Sequence, residues 1–246
     1  MSKKGDFMKQ EHDLRTIIKE AKRIVFFGGA GVSKGSGIPD FRGTGGLYIQ
    51  GGYSESPEEM LSSTYLKRCP EKFFAYYKNN MLYPDAKPNA AHLTLAKWER
   101  EGKLTSVITQ NVDGLHQMAG SKNVIELHGS VLRNYCVSCG ELHPLSHILE
   151  SDGIPRCRLC GAVVRPDVVL YGENLDGAAF MQAQEDIACA DVLIVGGTSL
   201  TVYPAAGLVQ HFRGEHFIII NQTRTPYDSY AEIIIREPIE DVLAGL

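Results

Sequence analysis

No apolar run in this chain reaches the roughly 18 to 20 residues that a helix needs to cross a bilayer. No apolar stretch follows the charged start Met1-Ser-Lys-Lys either, so no secretory leader is read there. Positive charge is not in excess: 25 Lys and Arg stand against 29 Asp and Glu, a net charge of -4, which weighs against a nucleic-acid-binding surface. Internal repeats and low-complexity tracts are also missing. What remains is an ordinary globular composition, 246 residues at 43% hydrophobic and 22% charged, expected in the cytoplasm with neither a membrane nor a nucleic acid as partner.

Cysteine is scarce and unevenly placed. A chain of this length has core enough without disulfide staples, and a reducing compartment would not keep them. Four of the six cysteines form two pairs, Cys136-Val-Ser-Cys139 and Cys157-Arg-Leu-Cys160, with 17 residues between them. A two-residue gap lets one turn present two thiolates to one ion. Two such pairs make a closed Zn²⁺ site with no position open to water or substrate, hence a structural one. Such binding supplies on the order of 10 to 16 kcal/mol toward folding a module with little core. Cys189, in Ile187-Ala-Cys-Ala-Asp191, reads as a small buried apolar residue. Cys69, before Pro70, is assigned no role.

Apolar spacing at Leu14, Ile17, Ile18 and Ala21 predicts a helix over 14–21, followed by a buried strand over 23–27. Runs at 105–108, 192–195 and 217–220 predict three parallel strands, each ending in a polar or glycine-rich turn. Pro238 predicts the first turn of a short closing helix. Strands alternating with helices imply an α/β fold, a doubly wound, Rossmann-like parallel sheet that binds ligands beyond the carboxyl ends of its strands.

The first strand stops at Gly28-Gly-Ala-Gly31, a turn where bare amides can approach a phosphate. Lys34 stands where the dinucleotide fingerprint has its third glycine, and no acidic residue closes a second strand some 20 residues on, so a hydride-transferring dehydrogenase is disfavoured. Alone, this could be a plain strand-to-helix turn. Gln110, Asn111 and Asp113 lie past a predicted strand end; alone, they are equally ligand groups or turn formers. His128 ends the apolar stretch 124–127 and precedes Gly129, and an imidazole can accept a proton at neutral pH.

The run Gly29-Ala-Gly-Val-Ser33 followed by Ser36-Gly-Ile-Pro-Asp-Phe-Arg42 resembles the signature of the sirtuins, NAD-dependent protein-lysine deacylases. Further motifs fall in that family's order: Thr109-Gln-Asn-Val-Asp113, Glu126-Leu-His-Gly129, the cysteine pairs, Tyr171-Gly-Glu173, Gly197-Thr-Ser199 and Asn221. The resemblance implies one catalytic domain over 1–246. Its larger lobe would be about 1–42, 88–130 and 165–246, and its smaller inserted lobe a helical segment near 43–87 with a zinc ribbon near 131–164.

The same resemblance implies the site. His128 would be the base that draws a proton from a ribose hydroxyl of NAD, and Asn111 would orient that ribose and a water. Gly29, Ala30, Gly31, Ser33 and Lys34 would face the phosphates; Phe41 would cover the reacting ribose carbon and Arg42 would bond a phosphate or hydroxyl. Gln110, Val112 and Asp113 would line the nicotinamide side, with Asp113 on the carboxamide, and Gly197, Thr198 and Ser199 a second phosphate and ribose turn. Asn221 would hold the adenosine ribose, with Gln222 and Glu237 near adenine. The acyl-lysine peptide would pair with backbone near Val168, Leu170, Tyr171, Gly172 and Glu173 as an added strand. His116 is the competing candidate for the base, although its position after Asp113-Gly-Leu points to support of the loop.

Two departures stand out. Gly28 replaces a threonine common in the family, a tolerable change. Relatives that remove succinyl or malonyl groups carry a Tyr-x-x-Arg pair where this chain has Phe74 and Tyr77, so acetyl or longer apolar acyl groups are expected. ADP-ribosyl transfer from the same NAD site and a non-catalytic, NAD-sensing zinc-ribbon module are the rival expectations.

Overall fold

The computed structural model describes residues 3–40 and 55–246; Phe41 and Arg42 fall outside the described residues. Helix α1 (Lys3–Glu20) leads into β1 (Ile24–Gly28), all five residues of which are buried. Helices α2 (Pro57–Met60), α3 (Ser63–Arg68), α4 (Pro70–Met81) and α5 (Ala90–Arg100) follow. Then come β2 (Leu104–Thr109), α6 (Leu115–Ala119), β3 (Val124–Glu126), β4 (Gly129–Cys136), β5 (Leu142–Pro144), α7 (Leu145–Glu150) and β6 (Val164–Val168). The chain closes with α8 (Gly177–Cys189), β7 (Val192–Gly196), β8 (His216–Ile220), β9 (Ile233–Ile235) and α9 (Ile239–Ala244).

Six strands form one parallel sheet in the order β3-β2-β1-β7-β8-β9. Alternation along each strand divides its side chains between two helical layers. Ile24, Phe26, Ile194 and Ile218 meet Leu14 and Ile18 of α1, Leu95 and Trp98 of α5, and Val242 and Leu243 of α9. Val25, Phe27, Leu193, Val195 and Ile219 meet Ala183 and Ile187 of α8 and the 3₁₀ turn Ala205–His211. A strand buried on both faces carries no polar alternation, which explains its unbroken apolar sequence.

The second unit is a three-stranded antiparallel sheet, β5-β4-β6, packed with α2, α3, α4 and α7 around Tyr65, Phe73, Phe74, Tyr77, Val131 and Leu170. Strand β4 begins one residue past His128, so the two units meet at that histidine.

Cys189 corrects the sequence reading: it is exposed at the last position of α8. Ala183 and Ile187, four residues apart, take the buried stripe, and Cys189, two further on, turns to solvent on a helix of 3.6 residues per turn.

Candidate functional site

Moving outward from β1, the chain continues on one side through β2 and β3 and on the other through β7, β8 and β9. The carboxyl ends of β1 and β7 therefore flank the switch point where such sheets bind ligands. Gly28 pairs with Gly196 there, and the following turns touch: the Gly31 amide donates to the Gly197 carbonyl at 2.8 Å. A Cβ on Gly31 would lie 2.7 Å from the Cα of Gly197, and Gly197 itself has φ +60°. The crossing admits only glycine at both positions, which leaves bare backbone facing a cavity of about 1010 Å³.

Every predicted cofactor and substrate residue among the described ones lines that cavity. It is one site, reaching from Asn221, Gln222 and Glu237 at one end, past the glycine turns and His128, to Val168, Leu170, Tyr171, Gly172 and Glu173. Ile38, Pro39 and Asp40, quoted within the sequence motif but given no role, also line it. So does Tyr77, which the resemblance already placed toward the acyl group, and so do Tyr203 and Glu240, for which only tertiary placement could speak.

The polar groups are held before any ligand arrives. Asn111 Nδ2 donates to Ser33 Oγ at 3.0 Å, and Ser33 Oγ donates to Asp113 Oδ2 at 2.6 Å. The other Asp113 oxygen accepts the Leu115 amide at 2.9 Å. Gln110 Nε2 donates to Thr198 Oγ1 at 3.0 Å, tying the ends of β2 and β7 together. Asn221 directs its Nδ2 to the Thr223 carbonyl at 2.9 Å.

His128 is half-buried. Its Nδ1 lies 2.9 Å from the Gln110 carbonyl, an acceptor only, so Nδ1 carries the proton and Nε2 keeps its lone pair. Its own carbonyl accepts the Val169 amide at 3.0 Å, which fixes the main chain as well. Burial depresses its pKa and the Gln110 bond opposes that shift only in part, so the ring is neutral at pH 7. A neutral imidazole in a fixed tautomer is a proton acceptor. His116, by contrast, is fully buried behind the loop, its nitrogens unpartnered among the described residues, and it packs on His92 with ring centroids 4.7 Å apart.

The four paired cysteines bring their sulfurs within 4.8 Å of one another, with Cys136 to Cys160 at 3.4 Å and Cys139 to Cys157 at 3.6 Å. All are free thiols. Four thiolates around one Zn²⁺ at ~2.3 Å would sit about 3.8 Å apart, so the cluster fits that ion. Amides of Ser138 and Leu159 point at Cys136 Sγ and Cys157 Sγ, each at 3.4 Å, as donors to thiolate.

A Rossmann-like sheet with a glycine cradle at its switch point, a fixed neutral histidine and a separate four-cysteine centre defines a dinucleotide-using protein with a structural metal. The Sir2 family model matches residues 29–204, and this chain belongs to that family. It is 54% identical to the NAD-dependent protein deacetylase of Clostridium perfringens over 94% of this chain and 95% of that one. It is 46% identical to the deacetylase of that name from Staphylococcus aureus strain N315, over 95% and 96%. A solved Sir2 histidine-to-alanine variant, in complex with deacetylated p53 peptide and 3′-O-acetyl ADP-ribose, superposes with a TM-score of 0.86 at 38% identity, over 94% of this chain and 95% of the other.

Proposed function

We propose that the protein removes acetyl groups from protein lysines at the expense of NAD, releasing nicotinamide and O-acetyl-ADP-ribose. The observation that carries this reading is the His128 tautomer: Nδ1–H bound to Gln110, Nε2 unprotonated, in one cavity with both glycine turns. Bound there, NAD supplies an electrophilic ribose carbon and nicotinamide as leaving group, and the lysine's acyl oxygen attacks that carbon. The chain's part is to hold and to move a proton. Backbone at Gly29 to Lys34 and at Gly197 to Ser199 would take the phosphates, and Asn111 and Asp113, released from Ser33, would turn to the ribose and carboxamide. His128 Nε2 accepts the proton of a ribose hydroxyl, freeing its oxygen to attack the acyl carbon; the lysine nitrogen then leaves as the free amine, and one water is taken up to give the O-acyl-ADP-ribose.

The peptide would lie along 168–173. The amides of Val169, Leu170 and Tyr171 are already committed to the His128 carbonyl, the Glu173 carboxylate and the Leu61 carbonyl, so Gly172 is the natural donor to an added strand. We read residues 1–246 as one catalytic domain with the lobe boundaries given above. No helix among the described residues is long and apolar enough to cross a membrane, and a cytoplasmic setting is part of this proposal.

The test is an acetyl-lysine peptide incubated with NAD and followed by mass spectrometry. Deacetylated peptide and O-acetyl-ADP-ribose in equal amounts are expected. Labelled ADP-ribose on protein with acetyl-lysine untouched would instead establish the transferase alternative.

A further inference from the structure

We infer that Arg133 is a positioning residue for the base of the reaction: it ties together the strands on either side of His128 and so fixes where the imidazole stands. The inference rests on the deacylase reading above and deepens it.

His128 lies between β3, at the edge of the parallel sheet, and β4 of the smaller sheet. On one side the Leu127 amide donates to the Thr109 carbonyl at 3.0 Å, and on the other the Val169 amide donates to the His128 carbonyl at 3.0 Å. Past the histidine the ladder from β4 to β6 is interrupted. Gly129 pairs with Val168 and Ser130 with Asp167, but the next pair is Asn134 with Pro166, so the register passes over Val131, Leu132 and Arg133. An irregularity of this kind bends a strand and takes ladder bonds away from it.

The Arg133 side chain spans that interruption. Its Nη1 donates to Glu126 Oε2 at 2.7 Å and its Nε to Asp167 Oδ2 at 2.9 Å. Glu126 stands two residues before His128, and Asp167 two residues before the Val169 whose amide holds the His128 carbonyl. The contacts close a ring from Glu126 through His128, Val169, Asp167 and Arg133 back to Glu126.

The two ion pairs differ in weight. Asp167 and Arg133 are each about half exposed, so their pair by itself contributes little. The Glu126 side chain is only 11% exposed, and its other oxygen accepts Gln117 Nε2 at 2.7 Å. Without the guanidinium, a nearly buried carboxylate would keep one neutral donor, and the end of β3 would have to shift to rehydrate it. None of the three is among the described residues lining the cavity, so their route to the chemistry is the His128 main chain.

The test separates the two halves of the reaction. In the first, a bond forms from the acyl oxygen to the ribose carbon as the bond to nicotinamide breaks; His128 takes no proton in it. Labelled nicotinamide entering NAD, with acetyl-lysine peptide present, reads the reversal of that step, while release of deacetylated peptide reads the step that needs Nε2. Arg133→Met should slow deacetylation about tenfold, the cost of a displaced proton acceptor, and leave nicotinamide exchange and both KM values at wild type. Asp167→Asn, which touches only the exposed pair, should give the same split at about threefold. Arg133→Lys, which lacks the planar fork that reaches two carboxylates, should restore only part of the loss. The acid limb of the pH profile should keep its wild-type position, because Arg133 acts on place and not on proton affinity.

Equal slowing of exchange and deacetylation in both Arg133→Met and Asp167→Asn would overturn the inference, as would wild-type deacetylation in Arg133→Met or a displaced acid limb. Any of these beside an active wild type removes only the role of Arg133. A wild type that performs neither exchange nor deacetylation removes the deacylase reading and the inference with it.

Discussion

Arg165 and Glu173 form a bidentate pair, Nη1 to Oε1 at 2.6 Å and Nη2 to Oε2 at 3.0 Å, and both also grip the backbone between them. Arg165 Nη2 donates to the Val168 carbonyl at 2.8 Å, and Glu173 Oε2 accepts the Leu170 amide at 2.9 Å. The carboxylate that the sequence assigns to substrate is thus committed to shaping the segment on which substrate would lie.

Glu173→Gln should loosen this segment without touching the glycine cradle. Breaking one partner of a largely buried pair leaves an unmatched charge, so a rise of about tenfold or more in peptide KM is expected. The KM for NAD should stay near the wild-type value. Burial would raise the Glu173 pKa, but the Arg165 bonds and the Leu170 amide overcome it and hold the carboxyl below its usual range. A depressed acid contributes its full stabilisation above its unfolded pKa of about 4.3, and loses it as pH falls through the lower folded value. Wild-type segment order, read by hydrogen exchange of the Leu170 amide, should therefore be complete above about pH 4.3 and decline as pH falls below it. Equal KM shifts for both substrates would show that the pair does not act through the peptide segment.

His128→Ala should leave thermal stability and NAD binding close to wild type while turnover falls by about 10² to 10⁴, the range for a lost general base. Since burial holds the imidazole pKa below 6.5, the acid limb of the kcat profile should fall under pH 6.5, with a plateau above it. A rate that still climbs tenfold between pH 7 and 8 would assign the limb to another group.

The parallel sheet was legible because its strands are buried on both faces: Ile24–Gly28 and Val192–Gly196 read as unbroken apolar runs ending in glycine. The zinc cluster was legible because ligand spacing within a turn is local. Strand β9, only Ile233–Ile235 at the sheet edge, was too short to stand out, and Cys189 misled because helical phase, not residue type, decides which face is buried. The His128 tautomer exists only once the end of β2 meets the start of β4, and the Arg165–Glu173 pair only once the segment between them folds back on itself; no spacing rule encodes either.

Gly197→Ala should cripple both stability and cofactor binding. Its φ of +60° strains any β-carbon, and the added carbon would run into the Val32 amide nitrogen and the Gly31 backbone. A loss of at least about 2 kcal/mol is expected from strain and overlap together, read as a lowered urea midpoint. Gly140→Ala, also at a positive φ (+74°) but with open space at its Cβ, isolates the strain alone. Similar losses in the two variants would mean that the close crossing contributes nothing.

Acid should destabilise the larger lobe through two histidines that take no part in the chemistry. Burial lowers His92 to about 4 and, with repulsion from His92, His116 to about 3. Both are neutral in the fold, while the unfolded chain takes up a proton on each below about pH 6.5. The unfolded state then binds more protons, so stability falls with pH from 6.5 down to the folded values, and is unaffected by these groups above 6.5. Urea midpoints measured from pH 7.5 to 4.5 should be flat at first and then decline. His116→Gln, which cannot titrate, should shallow that decline while lowering the plateau, since the ring packs on His92 and Phe26. A decline of unchanged slope in His116→Gln would place the acid sensitivity in the carboxylates instead.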